Sequence, residues 1–372
     1  EGDDLYGFVE EGASDDPNLL PPDRDGRYDG PGVGVDIGPI SLSMQNRQGS
    51  GRMGIGLLMD LGDGADVYRS HRMSQGYGVL GVGVLYDAGG GDSYHAEAAS
   101  QGSAAFGIGL LLDDGVGDDA YLGFQFVQGF GYVRGFGLLD DAGGNDAYTA
   151  VVATPLEGEG TWLFPSPQNP NGGSNNSMSQ GMGFGRRDDA GGDHASGGIG
   201  VLRDAGEGAD RYTSDIFGQG CGYWYGTGVL QDGGGDDTYD GRWYVQGASA
   251  HYAMGFLVDD GGDDRYNQGI EPLAQSVAHG HDFSLSYLWD SGGDDVYGGP
   301  GVRIHEASSI GAGNDNGVGY FVDLAGDDTY LSPDGINFGA ARITGEGPRE
   351  SRTCLGVFVD GGGADDYAAF AD

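Results

Sequence analysis

Apolar and polar residues alternate along this chain in short runs, and glycine fills many of the alternate places. Gly81-Val82-Gly83-Val84-Leu85 is typical. Period-two runs of this length predict β-strands with one very small face, and no stretch carries helical periodicity. Glycine at every second place lets neighbouring backbone layers approach closely. The runs recur. An Asp-x-Tyr signature ends at Tyr6, Tyr68, Tyr94, Tyr121, Tyr148, Tyr212, Tyr239, Tyr266, Tyr297, Tyr330 and Tyr367. Gln-Gly follows seven residues after the tyrosine at Gln75, Gln101, Gln128, Gln219 and Gln246. An apolar pair and an aspartate come twelve or thirteen residues later.

The commonest step between tyrosines is 27 residues. That length holds three strands of about five residues and three bends, one coil of a parallel β-helix. A single coil cannot bury its apolar face, so stacking must supply the core. The expected fold is an all-β parallel β-helix, or β-solenoid. It has about 27 residues and three short strands per coil, and roughly twelve coils with loop insertions. A β-propeller needs blades of about 40 residues or more. Residues 29–47, 149–179, 267–280, 298–318 and 331–352 fit the repeat poorly and are expected to be loops that leave one bend and return. The unit around Asp188–Asp193 is degenerate, with Ala195 where tyrosine is expected. Residues 1–372 are read as one elongated domain. Each Gln of Gln-Gly is expected to join an amide ladder between coils, and each Tyr an aromatic ladder.

Composition then narrows the function. The chain has 80 Gly in 372 residues, 47 Asp, 11 Glu, 17 Arg and no Lys, and its formal net charge is -41. Low hydrophobicity with high charge ordinarily favours disorder, but 21 Tyr and 15 Phe at regular spacing argue against it. Glycine does not fall on every third residue, which excludes collagen. No run of eighteen apolar residues exists, so no membrane span is expected. The charge repels phosphate, which argues against nucleic acid and anionic lipid, and it favours cations. The first residues, Glu1–Tyr6, read as the middle of a repeat, so an upstream piece is expected to have been removed. Cys221 and Cys354 lie four coils apart by count, near 19 Å at about 4.8 Å per coil, too far for a disulfide.

The chemistry sits in the bend before each tyrosine. It is framed by two acids five or six residues apart: Asp60 and Asp66, Asp87 and Asp92, Asp113 and Asp119, Asp140 and Asp146, and Asp204 and Asp210. The series continues with Asp232 and Asp237, Asp259 and Asp264, Asp290 and Asp295, Asp323 and Asp328, and Asp360 and Asp365. In-register stacking puts equivalent carboxylates about 5 Å apart, where two of them repel by about 3 kcal/mol at an effective dielectric near 20. The arginines are absent from these bends except at Arg211 and Arg265. Divalent cations are the remedy, and Ca²⁺ takes six to eight oxygens of this kind. The plainer reading is turn chemistry alone, because Asp caps backbone N–H groups two residues on.

The bend Gly62-Asp63-Gly64-Ala65-Asp66-Val67-Tyr68 resembles the RTX family, whose nonapeptide G-G-x-G-x-D-x-U-x binds Ca²⁺ in stacked turns. Gly206–Tyr212 and Gly115–Tyr121 are similar. The resemblance implies Ca²⁺ between successive turns, held by Asp66, Asp119 and Asp210. Here one copy occurs per unit, most copies are one residue shorter, and the U position is always tyrosine. The likeness covers about a third of each unit.

The expected protein is a secreted or cell-surface, calcium-stabilised solenoid with a structural, adhesive or matrix role. Divalent cations are its expected partners, with other cell-surface proteins or polysaccharide beside them. The alternative is a polysaccharide-active lyase or glycoside hydrolase, a class often built on parallel β-helices. Trp162, Trp243, Trp289, His279, His281, Arg303 and His305 would be its raw material. No catalytic set stands out, and His279, His281 and His305 lack the spacing of a zinc site.

Overall fold

The computed structural model describes residues 2–7, 46–150, 152, 176–188, 191–267, 275–298, 310–332, 338–343 and 353–369. Among them there is no helix, and every pairing between named strands is parallel. Each coil has three faces. The coil after Tyr94 shows the plan: Ser93–Ala98, the short Ala104–Ala105, then Ile108–Asp113, then the acidic bend. Stacked coils form an eleven-stranded tyrosine sheet, a ten-stranded leucine sheet, and a third face of six- and three-stranded sheets. Isolated bridges at Gly131 join the last two.

Register is strict, because a slip of one residue would turn each strand inside out. Tyr94 pairs with Tyr68 and Tyr121. In the leucine sheet Gly83, Leu85 and Asp87 pair with Gly109, Leu111 and Asp113. These three point inward. Gly83 is required there: a Cβ would lie 2.3 Å from the Tyr77 carbonyl oxygen of the neighbouring face. The core is therefore two columns. Leu85, Leu111, Leu139, Leu202, Leu230, Leu257, Leu288 and Phe321 make one. The tyrosines make the other, with successive rings 4.5–5.2 Å apart and tilted by no more than 16°.

Tyrosine succeeds in this column because its hydroxyl has a partner. Burying an aromatic side chain stabilises by roughly 2–3 kcal/mol, and an unpartnered buried hydroxyl would cost about as much. Tyr94 donates to Asp113 at 2.7 Å, Tyr148 to Asp204 at 2.7 Å and Tyr239 to Asp259 at 2.6 Å.

The glutamines tie coils together, but not as an amide ladder. Gln128 Nε2 donates to the Tyr121 carbonyl of its own coil at 2.9 Å and to the Thr149 carbonyl of the next at 3.2 Å. Gln75, Gln101, Gln180 and Gln219 repeat this. The corner places each Gln at positive φ, which aims its amide at main-chain carbonyls and not at the next Gln. In later coils apolar residues take over: Val277, Ile310 and Phe338 join the core.

Two expectations about length need correction. The described part of the degenerate unit, 186–188 and 191–195, is not a coil. It belongs to an excursion from the third face, in which Arg186 and Ala195 form an antiparallel bridge. Eleven stacked tyrosine strands stand among the described residues. The irregular segments are also shorter than expected. Residues 275–280 and 310–318 return to the regular coil, with Gly280–His281, Gly313–Asn314 and Val318–Asp323 in their sheets. The same holds for Thr329–Ser332 and Ala341–Arg342 within 331–352, and for 149–150 and 176–179. Most of 29–47 and 153–175, with 268–274, 299–309, 333–337 and 344–352, lies outside the described residues. Both thiols are free, and their coils are four steps apart in the leucine sheet.

Candidate metal centre

The two framing acids of each bend do different work. The first sits at the end of a leucine-sheet strand, facing in. Asp113 Oδ1 accepts the Gly115 N–H at 3.0 Å, and Asp113 Oδ2 accepts the Tyr94 hydroxyl. Asp87, Asp204, Asp232, Asp259 and Asp290 repeat the N–H bond two residues on. Asp60 and Asp360 do so as well. Turn chemistry plus the tyrosine accounts for both oxygens of this acid, except at Asp323, where Oδ2 accepts the Tyr330 hydroxyl and Oδ1 is buried without a partner.

It accounts for only half of the second acid. Its Oδ1 caps the N–H of the equivalent aspartate one coil back. Asp119 N–H donates to Asp146 at 2.6 Å, Asp210 to Asp237 at 2.6 Å, Asp237 to Asp264 at 2.7 Å and Asp295 to Asp328 at 2.9 Å. Asp66 and Asp365 close the row toward its two ends. The other oxygen is different. Oδ2 of Asp92, Asp119, Asp146, Asp210, Asp237, Asp264 and Asp295 is buried and has no hydrogen-bond partner. All seven side chains are at most 2 % exposed. Leaving a buried carboxylate oxygen bare costs about 1–3 kcal/mol, and more for a charge. Seven such atoms in one line need an explanation.

Stacking brings the acids into trios. Asp66, Asp87 and Asp92 form one, and Asp92, Asp113 and Asp119 the next. Asp119, Asp141 and Asp146 follow, then Asp146, Asp204 and Asp210, with Asp4, Asp60 and Asp66 at the first coil. In each, one oxygen per residue lies within 4.8 Å of the others. That separation lets a single cation contact all three at 2.3–2.6 Å. Asp66, Asp92, Asp119 and Asp146 each belong to two of these trios, so each links neighbouring sites.

Burial is the main cause that lifts these carboxyls, and neighbouring acids add to it. Asp92 is pushed up to about 8 and Asp119 to about 9. Asp237 and Asp295 rise to about 10. Near neutral pH such a column must take up either protons or cations.

Most of the expected site residues thus converge on one line. Asp140 departs from it. Asp140 faces outward and pairs with Arg203 at 3.0 Å, and Asp141 takes the inner place, bonded to Tyr121 and the Gly143 N–H. The signal was available: the inner acid falls four residues after the inward glycine, at Asp87, Asp113 and Asp232, and Gly137 points to Asp141. Asp4 was also missed as the first coil's contribution.

The residues suggested for catalysis do not converge as a set. Trp162, Arg303 and His305 lie outside the described residues. Trp289 stands on the outer face of the leucine sheet, and Trp243 bonds Gln275 and stacks on Tyr244. His279 and His281 both donate to Asn314 Oδ1, at 3.2 and 2.7 Å. A different asymmetric cluster lies beside them. Arg187 Nη1 donates to His251 Nε2 at 2.7 Å and to the Tyr223 hydroxyl at 2.6 Å, and His251 Nδ1 donates to Asp282 at 2.6 Å. The chain matches no family model, no curated protein and no solved structure.

Proposed function

We propose that this chain is a calcium-stabilised β-solenoid with a structural or adhesive role, secreted or at the cell surface. The observation that carries the reading is the line of buried, unpartnered Oδ2 atoms at Asp92, Asp119, Asp146, Asp210, Asp237, Asp264 and Asp295. Charge balance supports a divalent ion. Each coil adds one first acid and one second acid to the column, two negative charges, so one divalent cation per interval neutralises it. Oxygen-only donors favour a hard cation, and the irregular carboxylate trio suits Ca²⁺ better than the strict octahedron of Mg²⁺. The RTX-like reading rests on the same place in the bend, since Asp66, Asp119 and Asp210 are all second acids.

The test is calcium stoichiometry together with melting. Dialysed protein should retain about one Ca²⁺ per interval, and chelation should lower the melting temperature. Tb³⁺ in place of Ca²⁺ should luminesce on tyrosine excitation, because each site adjoins a tyrosine hydroxyl. An unchanged melt after chelation, with no bound ion, overturns the reading.

The polysaccharide-active reading has one observation to stand on, the Arg187–His251–Asp282 cluster. It is the weaker reading for two reasons. Asp282 fixes the tautomer, and Arg187 occupies the Nε2 lone pair that a general base would use. The nearby exposed rings of Tyr225 and Tyr252 and the half-buried ring of Phe283 stack on each other at 5.0 and 4.9 Å, so their facing surfaces are not open to a sugar. Cleavage of a polysaccharide that is lost in His251→Ala would reverse the ranking.

A further inference from the structure

We infer that the outer face of the leucine sheet is where a second copy of this chain docks. In each of its ten strands the inward residues alternate with an outward set, and that set is apolar along the whole rod. Val82, Val84 and Tyr86 are one row, and Leu285, Tyr287 and Trp289 another. Apart from tyrosine hydroxyls and the indole N–H, Asp140, Arg203, Thr227 and Gln231 are its only polar outward side chains. Ile108, Ile199, Met254 and Leu355 remain 42–46 % exposed.

Three arguments select a copy of this chain as the occupant. The first is area. Ten strands about 4.8 Å apart, each five to six residues wide at about 3.3 Å, make a flat face of about 800 Å². That is the share each partner gives to a standard stable interface, and it exceeds what monomers ordinarily leave open. The second is charge. In a chain of net charge -41 this face has one acid and one base, and they pair with each other. Two strongly acidic rods can meet here without bringing like charges together. The third is self-complementarity. Asp140 and Arg203 occupy adjacent strands in register. A two-fold axis in the interface, parallel to the strands and between those two, sets Asp140 of one copy opposite Arg203 of the other. Residue i meets j and j meets i, as a closed dimer requires. Two twisted sheets pack face to face in this way at about 10 Å.

Sedimentation of the full calcium-loaded chain over a wide concentration range tests this. The expected species is a dimer. Leu138→Glu should convert it to monomer while leaving the calcium-dependent melt in place. Arg203→Asp should weaken dimerisation at least tenfold, and Asp140→Arg with Arg203→Asp should restore it. Arg203 is exposed and Asp140 partly so, and both point outward, so the exchange leaves folding intact. A wild-type monomer at every concentration overturns the proposal, as does a dimer indifferent to all three variants. Vesicle flotation of a monomeric wild type would assign the face to lipid, also against it. The oligomeric state read in each case does not depend on whether the acidic column binds calcium.

Discussion

Asp119→Asn should change sign with the cation. Asparagine keeps the Oδ1 that caps the Asp92 N–H and removes the charge on the bare Oδ2. Asp119 shares trios with Asp92 and Asp113 on one side and with Asp141 and Asp146 on the other, at separations up to 4.8 Å. One pair of charges at that distance is worth about 3.5 kcal/mol at an effective dielectric of 20. Without cation the substitution removes that repulsion, or the proton uptake that avoids it. For 372 residues, with about 2.1 cal/mol/K of unfolding entropy each, the melting temperature should rise by about 4 °C. With Ca²⁺ bound, two sites each lose a charged ligand, and melting should fall by about 4 °C or more.

The pH dependence follows the same logic. A buried carboxyl raised to about 9 keeps its proton when folded and loses it near 3.8 when unfolded. The cation-free rod therefore loses stability as pH climbs from about 4 to 9, by up to about 1.4 kcal/mol per pH unit for each such group. Saturating calcium should flatten that slope. Differential scanning calorimetry of wild type and Asp119→Asn, with chelator and with calcium, at pH 5 and pH 8, reads all of this. Stabilisation by asparagine in both conditions would mean that shared protons fill the column. No change in either would mean that the carboxylate acts only as a cap.

Three further substitutions test the frame. Tyr121→Phe keeps the ring stack but strips Asp141 of its hydroxyl donor, and should cost about 1.5–3 kcal/mol in urea unfolding. Gly235→Ala puts a Cβ 1.5 Å from the Gly208 carbonyl oxygen at a φ of 141°, and should cost on the order of 3 kcal/mol or more, whereas Gly54→Ala meets nothing closer than 3.8 Å and should stay within about 0.5 kcal/mol. Gln128→Leu leaves the Tyr121 and Thr149 carbonyls without their bridging donor and should cost about 2 kcal/mol, mostly as faster local exchange of the amides at that corner.

Much of this architecture is legible in the sequence because each coil repeats the same physical problem. A 27-residue step, an inward glycine and an Asp-x-Tyr bend can be satisfied in register only by stacking. Asp140 was chosen over Asp141 because counting from Gln128 ignores the strand's own alternation. The coils after Tyr266 were hard to read because Val277, Ile310 and Phe338 fill the glutamine corner, and a core residue there carries no motif. The outer apolar face was present in the period-two runs themselves. A pattern of Val82, Val84 and Tyr86 against Gly83 and Leu85 is apolar on both sides, which a strand with one face in water does not need. The Arg187–His251–Asp282 network could not be foreseen, since its members lie 64 and 31 residues apart and only the coil pitch brings them together.

The sharing of second aspartates between two trios makes the acidic column a one-dimensional chain with nearest-neighbour coupling. A vacancy at one interval leaves its two aspartates half-served, and so weakens the intervals on either side. If cations fill the column as proposed, vacancies therefore cluster. On the proposed calcium reading such a rod would not soften evenly as calcium falls. Runs of emptied coils would loosen beside runs that stay stiff, so that its stiffness along the axis becomes a readout of the calcium around it.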